Sequence, residues 1–121
     1  RQRQMCIRDR GNTDRLKQAI INLVDNAIRH VEEGGHVRVL LSGVNNQAIV
    51  AVKDDGCGIE DDPSLLFKRF YRSDASRARN SGGAGLGLAI VKEIVESFDG
   101  TVTAFNAPEG GAVFVMAFPA L

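Results

Sequence analysis

A chain of 121 residues, 44% hydrophobic and 25% charged, has the balance of one globular domain, long enough to bury a core of its own. No apolar run approaches the roughly 18 residues of a membrane-spanning helix. The formal net charge of the full chain is zero.

The first ten residues, "RQRQMCIRDR", stand apart. They show neither apolar periodicity nor a signal-peptide pattern. Read back into codons, the whole stretch matches a transposase sequencing adapter. The expectation is that residues 1–10 are adapter read-through and not native, with one domain over residues 11–121. Setting aside Arg1, Arg3, Arg8, Arg10 and Asp9 leaves eleven of the fifteen basic and fourteen of the fifteen acidic residues, a net of about −3, which argues against a nucleic-acid binder with its basic face. Cys6 also falls in this stretch. Cys57 is then alone, so no disulfide framework can form, which suits a reducing cytosol.

"GNTDRLKQAIINLVDNAIRHVEEGG" predicts a helix, with Thr13 or Asp14 as its cap and Gly34-Gly35 as its end. Leu16, Ile20, Leu23 and Ala27 make its apolar stripe. Residues 36–44 and 47–55 predict two strands around an Asn45-Asn46 hairpin turn. A glycine turn and a short helix after Pro63 follow. Residues 75–85 are small, basic and turn-rich, so a mobile loop is expected there. Residues 86–98 predict a second long helix with Gly87, Val91, Ile94 and Phe98 on one face, and two strands around a turn at 108–111 close the chain. The order helix, hairpin, loop, helix, hairpin predicts an α/β (α+β) two-layer sandwich: a mixed, mostly antiparallel sheet with helices on one face.

Three stretches carry candidate chemistry. On the first helix Gln18, Asn22 and Asn26 recur every four residues, with Arg29 and His30 one turn on. Asparagine is a poor mid-helix residue, so this stripe is either a set of amide oxygens for a hard cation or a solvated polar face. In "DDGCGI" a carboxylate, read as Asp55, ends a strand and enters a Gly56-x-Gly58 turn. That is either a place where a flat ligand approaches the backbone, with the carboxylate accepting from an exocyclic amine, or an ordinary strand-end turn. In "SGGAGLGLAIV", Gly82, Gly83, Gly85 and Gly87 precede a helix, either as an anion cradle or as a flexible loop. A P-loop is excluded because Leu88, not lysine, follows Gly87. A dinucleotide fingerprint is excluded because Leu88 stands where its third glycine should be.

Taken in order, N-x-x-x-N, D-x-G-x-G and G-x-G-x-G resemble the GHKL ATP-binding superfamily. Within it the chain is similar to the catalytic and ATP-binding domain of sensor histidine kinases, the Bergerat fold. "DRLKQAIINLVDNAIRH" resembles the family's N box, "DDGCGI" its first glycine box, "LFKRFYRSD" its F box and "GGAGLGLAIV" its second glycine box. The resemblance runs from Gly11 to Leu121. It implies ATP and Mg²⁺ as cofactors, with Asn26 and Asn22 at the metal and Arg29 and His30 on the N-box flank near the phosphates. Asp55 would accept the adenine amino group, with Gly56, Gly58 and Ile59 giving the base room. Gly83, Ala84, Gly85, Leu86, Gly87 and Leu88 would line the triphosphate. Phe67, Phe70 and Tyr71 would anchor the base of an ATP lid. Arg72, Arg77 and Arg79 either touch the γ-phosphate or are simply solvated. Cys57 replaces a frequent proline and Ala84 a frequent hydroxyl residue.

Superfamily ATPases and serine-kinase anti-sigma factors carry a glutamate at the first N-box position, where it can act as a base. Here that residue is Asn22. A neutral imidazole already offers a lone pair near pH 7, so the resemblance implies phosphoryl transfer to histidine. The alternatives are a non-catalytic nucleotide-binding regulator or an anti-sigma-type serine kinase. His30 and His36 do not match the acceptor motif. The acceptor is expected on an upstream dimerisation domain of the same protein, with a response regulator as indirect partner, homodimerisation only through that upstream region, and no nucleic acid. The expected location is the cytoplasmic side, with the full protein anchored in the inner membrane. The family's first helix and strand precede the N-box helix, so they are expected to be missing here, leaving a marginally stable domain.

Overall fold

The computed structural model describes residues 10–60, 62–68 and 87–119. Helix α1 spans Arg10–His30, β1 Val37–Val44, β2 Gln47–Asp54, and a 3₁₀ turn Pro63–Phe67. Helix α2 spans Gly87–Ser97, β3 Thr101–Asn106 and β4 Ala112–Pro119.

The apolar stripe of α1 faces inward as its spacing requires. Leu23 and Ala27 are fully buried together with Ala19, while Leu16, Ile20 and Val24 pack at the core margin. The helix begins at Arg10, ahead of the expected caps Thr13 and Asp14. A capping side chain ends a helix only where the backbone upstream leaves helical dihedrals, and here it does not. Beyond His30 the chain turns through Gly34, whose φ of +88° lies in the left-handed region. The Asn45-Asn46 turn has φ of +52° and +62°, the paired positive values that fit the twist of a two-residue hairpin.

The four strands stand in the order β1-β2-β4-β3. Every pairing among the described strands is antiparallel, with both helices on one face of the sheet, the two-layer sandwich that the element order implies. Alternation sorts its faces. Val50 and Val52 of β2, with Phe114, Met116 and Phe118 of β4, are buried beneath α1 and α2, where Val91, Ile94 and Val95 meet them. Phe98 stacks edge-on against Phe118 at 6.0 Å, and Phe67 against Phe114 at 6.2 Å. Large side chains removed from water in this way each contribute about 1.5–3 kcal/mol. By register, Val39 pairs with Val52 and Leu41 with Val50, so both point to the helix side. They nonetheless stay 47% and 74% exposed, because the two helices cover β2 and β4 but leave the edge strand β1 open.

Candidate functional site

Where the C-terminal half of α1 meets the end of β2, a cavity opens. Its apolar wall is built from Ile59, Leu66, Leu88 and Phe114. Its polar positions are Asn26 and His30 from α1, Asp54 from β2 and Glu60 from the loop beyond, and Gly58 and Ala112 complete the lining.

Asp54 is the one buried charged residue among those described, at 2% exposure. Its Oδ1 accepts from the Gly56 N–H at 2.8 Å and from the Ala112 N–H at 3.4 Å. Among the described residues no protein donor meets Oδ2. A buried carboxylate fixed by one oxygen, with the other unmatched beside an apolar cavity, is built to accept from a ligand.

The expected carboxylate was Asp55, and here the sequence reading is corrected. Asp55 is exposed and turned away. Its Oδ1 accepts from the His36 N–H at 2.9 Å and its Oδ2 lies 3.1 Å from His36 Nδ1. The reason is strand parity. Val50 and Val52 face the helices, so Asp54 does too, and the next residue lies past the strand end. The His36 backbone bond, then the His36 ring, hold the Asp55 carboxyl below the usual carboxylate range. A lowered folded value contributes stability above the unfolded carboxylate range and loses it as pH falls through the folded value. For so exposed a pair the contribution is small.

Two glycines of the turn have separate reasons. A Cβ on Gly56 would overlap the His30 carbonyl oxygen, so glycine lets the turn pack against the end of α1. Gly58 has φ +85° and lines the cavity itself.

The polar stripe of α1 divides. Asn26 and His30 line the cavity. His30 Nδ1 lies 2.7 Å from the Asn26 carbonyl, which can only accept, so the neutral ring carries its proton on Nδ1. Asn22 lies one turn back. Its Oδ1 accepts from Gln18 Nε2 at 2.8 Å and its Nδ2 donates to the Gly87 carbonyl at 3.4 Å, tying α1 to the start of α2. Arg29 is exposed and outside the lining. Phe67 is buried against Phe114, and its neighbour Leu66 lines the cavity. Leu88 lines the cavity, and the Gly87 carbonyl accepts from Asn22. Phe70, Tyr71, Arg72, Arg77, Arg79, Gly82, Gly83, Ala84, Gly85 and Leu86 lie outside the described residues.

Among the described residues no group of three or more His, Cys, Asp or Glu side chains could hold a metal. What the stripe offers is a pair of neutral amide oxygens, Asn22 and Asn26. Mg²⁺ is commonly held by few protein ligands plus phosphate oxygens, so this donor set fits a metal that arrives on a phosphate.

The sequence model of one family, "Histidine kinase-, DNA gyrase B-, and HSP90-like ATPase", matches residues 11–121. The chain belongs to that family. Its relatives include the sensor-like histidine kinase SenX3 of Mycobacterium tuberculosis, 40% identical over 92% of this chain and 27% of that protein. The signal transduction histidine-protein kinase BaeS of Escherichia coli is 38% identical over 90% of this chain and 24% of that one. Among solved structures, the mycobacterial sensor histidine kinase MprB superposes with a TM-score of 0.79 at 34% identity, covering 88% of this chain and 72% of the other. Full-length ShkA in complex with AMPPNP gives 0.74 at 31%, covering 87% and 21%. The chain thus spans about a quarter of the length of the curated relatives it matches. It is an ATP-binding domain of the histidine kinase type. No described helix is long and apolar enough to cross a membrane.

Proposed function

We propose that this chain is the ATP-binding catalytic domain of a two-component sensor histidine kinase, transferring the ATP γ-phosphate to a histidine on an upstream dimerisation domain. The observation that carries the reading is Asp54. The adenine ring would lie against Ile59, Leu66, Leu88 and Phe114, with its exocyclic amine donating to Asp54 Oδ2, which accepts from no described residue. The phosphates then run toward Asn22, Asn26 and the N-terminus of α2, with Gly83, Ala84, Gly85 and Leu86 supplying backbone N–H groups ahead of it. Asn26 and Asn22 would hold Mg²⁺ together with phosphate oxygens, and the bound metal neutralises charge there. Arg29 contributes positive charge at the same end of α1. ShkA, solved with AMPPNP, supports the nucleotide class.

The internal histidines are both engaged, His30 with the Asn26 carbonyl and His36 with Asp55, which supports an acceptor elsewhere. A response regulator then takes the phosphoryl group from the acceptor. The domain works on the cytoplasmic side, where ATP is, with the whole protein membrane-anchored and dimeric through its upstream region. The uncovered Val39 and Leu41 support a further strand and helix of the same fold beside β1.

Labelled MgATP supplied with a dimerisation and phosphoacceptor domain tests the proposal. Acid-labile phosphohistidine on the acceptor is the expected product. Intact ATP binding without transfer would make the chain a nucleotide-binding regulator. Asn22→Glu installs a carboxylate base where an amide stands and should raise acceptor-independent phosphate release by about tenfold to a hundredfold without improving transfer to histidine. Rapid hydrolysis by the unmodified chain, with no transfer, would contradict the kinase assignment.

A further inference from the structure

Asn106, the last residue of β3, lies 47 residues from the glycine turn in sequence yet grips it directly. Its Oδ1 accepts from the Ile59 N–H at 2.6 Å, and its Nδ2 donates to the Ile59 carbonyl at 3.0 Å. One side-chain amide therefore satisfies both backbone groups of a single loop residue, as a neighbouring strand would. The contact is close on the other side as well, since a Cβ on Gly58 would come within 2.9 Å of Asn106 Oδ1. Gly58, Ile59 and Glu60 are consecutive, and all three line the cavity.

We infer that Asn106 is a positioning residue for nucleotide binding, holding the Gly58–Glu60 wall in its bound arrangement before the ligand arrives. The inference rests on the cavity being the adenine site. Without the clamp, the Ile59 backbone groups turn to water, and binding must order the wall each time. Gly58 has the wide conformational range of glycine and cannot hold the wall by itself. The effect belongs to the base, because the phosphates lie toward Asn22 and α2.

The experiment measures calorimetric affinities of MgATP and MgADP for the 121-residue chain and its Asn106→Ala and Asn106→Ser variants, below the melting range of all three. Amide exchange is followed at Ile59. Asn106→Ala should weaken both nucleotides by about fivefold to tenfold, the scale of one or two exposed hydrogen bonds, at an unchanged ATP-to-ADP ratio. Asn106→Ser, which reaches one backbone group instead of two, should fall between. Ile59 exchange should quicken without global exchange. If the unmodified chain binds both nucleotides and Asn106→Ala binds them equally well, the role of Asn106 falls. It also falls if the ratio shifts, or if affinity is lost only as folded protein is lost. If the unmodified chain binds neither nucleotide, the adenine site falls and the inference with it.

Discussion

Asp54→Asn is expected to weaken ATP binding by at least about tenfold while leaving the fold intact. The substitution is isosteric, and the amide oxygen can still accept from the Gly56 and Ala112 N–H groups. That places the NH₂ group where Oδ2 stood, so a donor faces the adenine amine. Hydrogen bonds to charged groups contribute about 1.5–3 kcal/mol, which sets the scale of the loss. Guanine carries a carbonyl at the equivalent ring position, so the variant's preference for ATP over GTP should shrink. Asp55→Asn is the control. It alters only the exposed contact with His36, and its ATP affinity should stay within about twofold. Calorimetric titration of ATP and GTP against the three proteins decides the matter. Loss in Asp55→Asn with retention in Asp54→Asn would return the adenine contact to the neighbouring residue.

The same pair of aspartates shows where the sequence was legible and where it was not. The elements of α1, both hairpins and α2 follow from periodicity and turn chemistry, with boundaries shifted by a residue or more. The four ordered motifs placed the chain in its family. Asp55 is the carboxylate that enters the Gly56-x-Gly58 turn, yet the motif D-x-G-x-G counts back to Asp54 and strand alternation points to it too. Both signals were present in "VAVKDDG". Leu66 at the cavity was not legible for a different reason. A one-residue choice in a short 3₁₀ turn depends on which ring packs against Phe114, and no local pattern encodes that. Asn106 had no sequence signal at all. An asparagine before a turn reads as turn chemistry, and its partner Ile59 becomes a neighbour only once β4 lies between β2 and β3.

Gly111→Ala should be among the most destabilising single substitutions in the chain, and Gly110→Ala beside it a mild one. Both glycines have positive φ, +113° for Gly110 and +86° for Gly111, so alanine at either is strained by about 1–2 kcal/mol. They differ in what a Cβ meets. At Gly110 nothing lies within 4 Å. At Gly111 the added carbon would overlap the Asp54 carbonyl oxygen and press on the backbone of Asp54 and Asp55. Backbone atoms cannot rotate away as a side chain can, so the start of β4 must move off the end of β2. Overpacking of this kind typically adds about 1–3 kcal/mol. Against a total stability of about 5–15 kcal/mol, the sum is a large fraction of the whole. The displacement also draws the Ala112 N–H away from Asp54 Oδ1 and disturbs the Ala107–Gly111 bond that closes the β3–β4 turn. Gly111→Ala should therefore lose nucleotide affinity beyond its loss of folded protein, whereas Gly110→Ala, whose glycine is exposed at the turn tip, should bind as the unmodified chain does. Urea unfolding and ATP titration of the two variants, side by side, separate strain from collision. Equal destabilisation by both would mean that positive φ alone governs the turn, with no collision at Asp54.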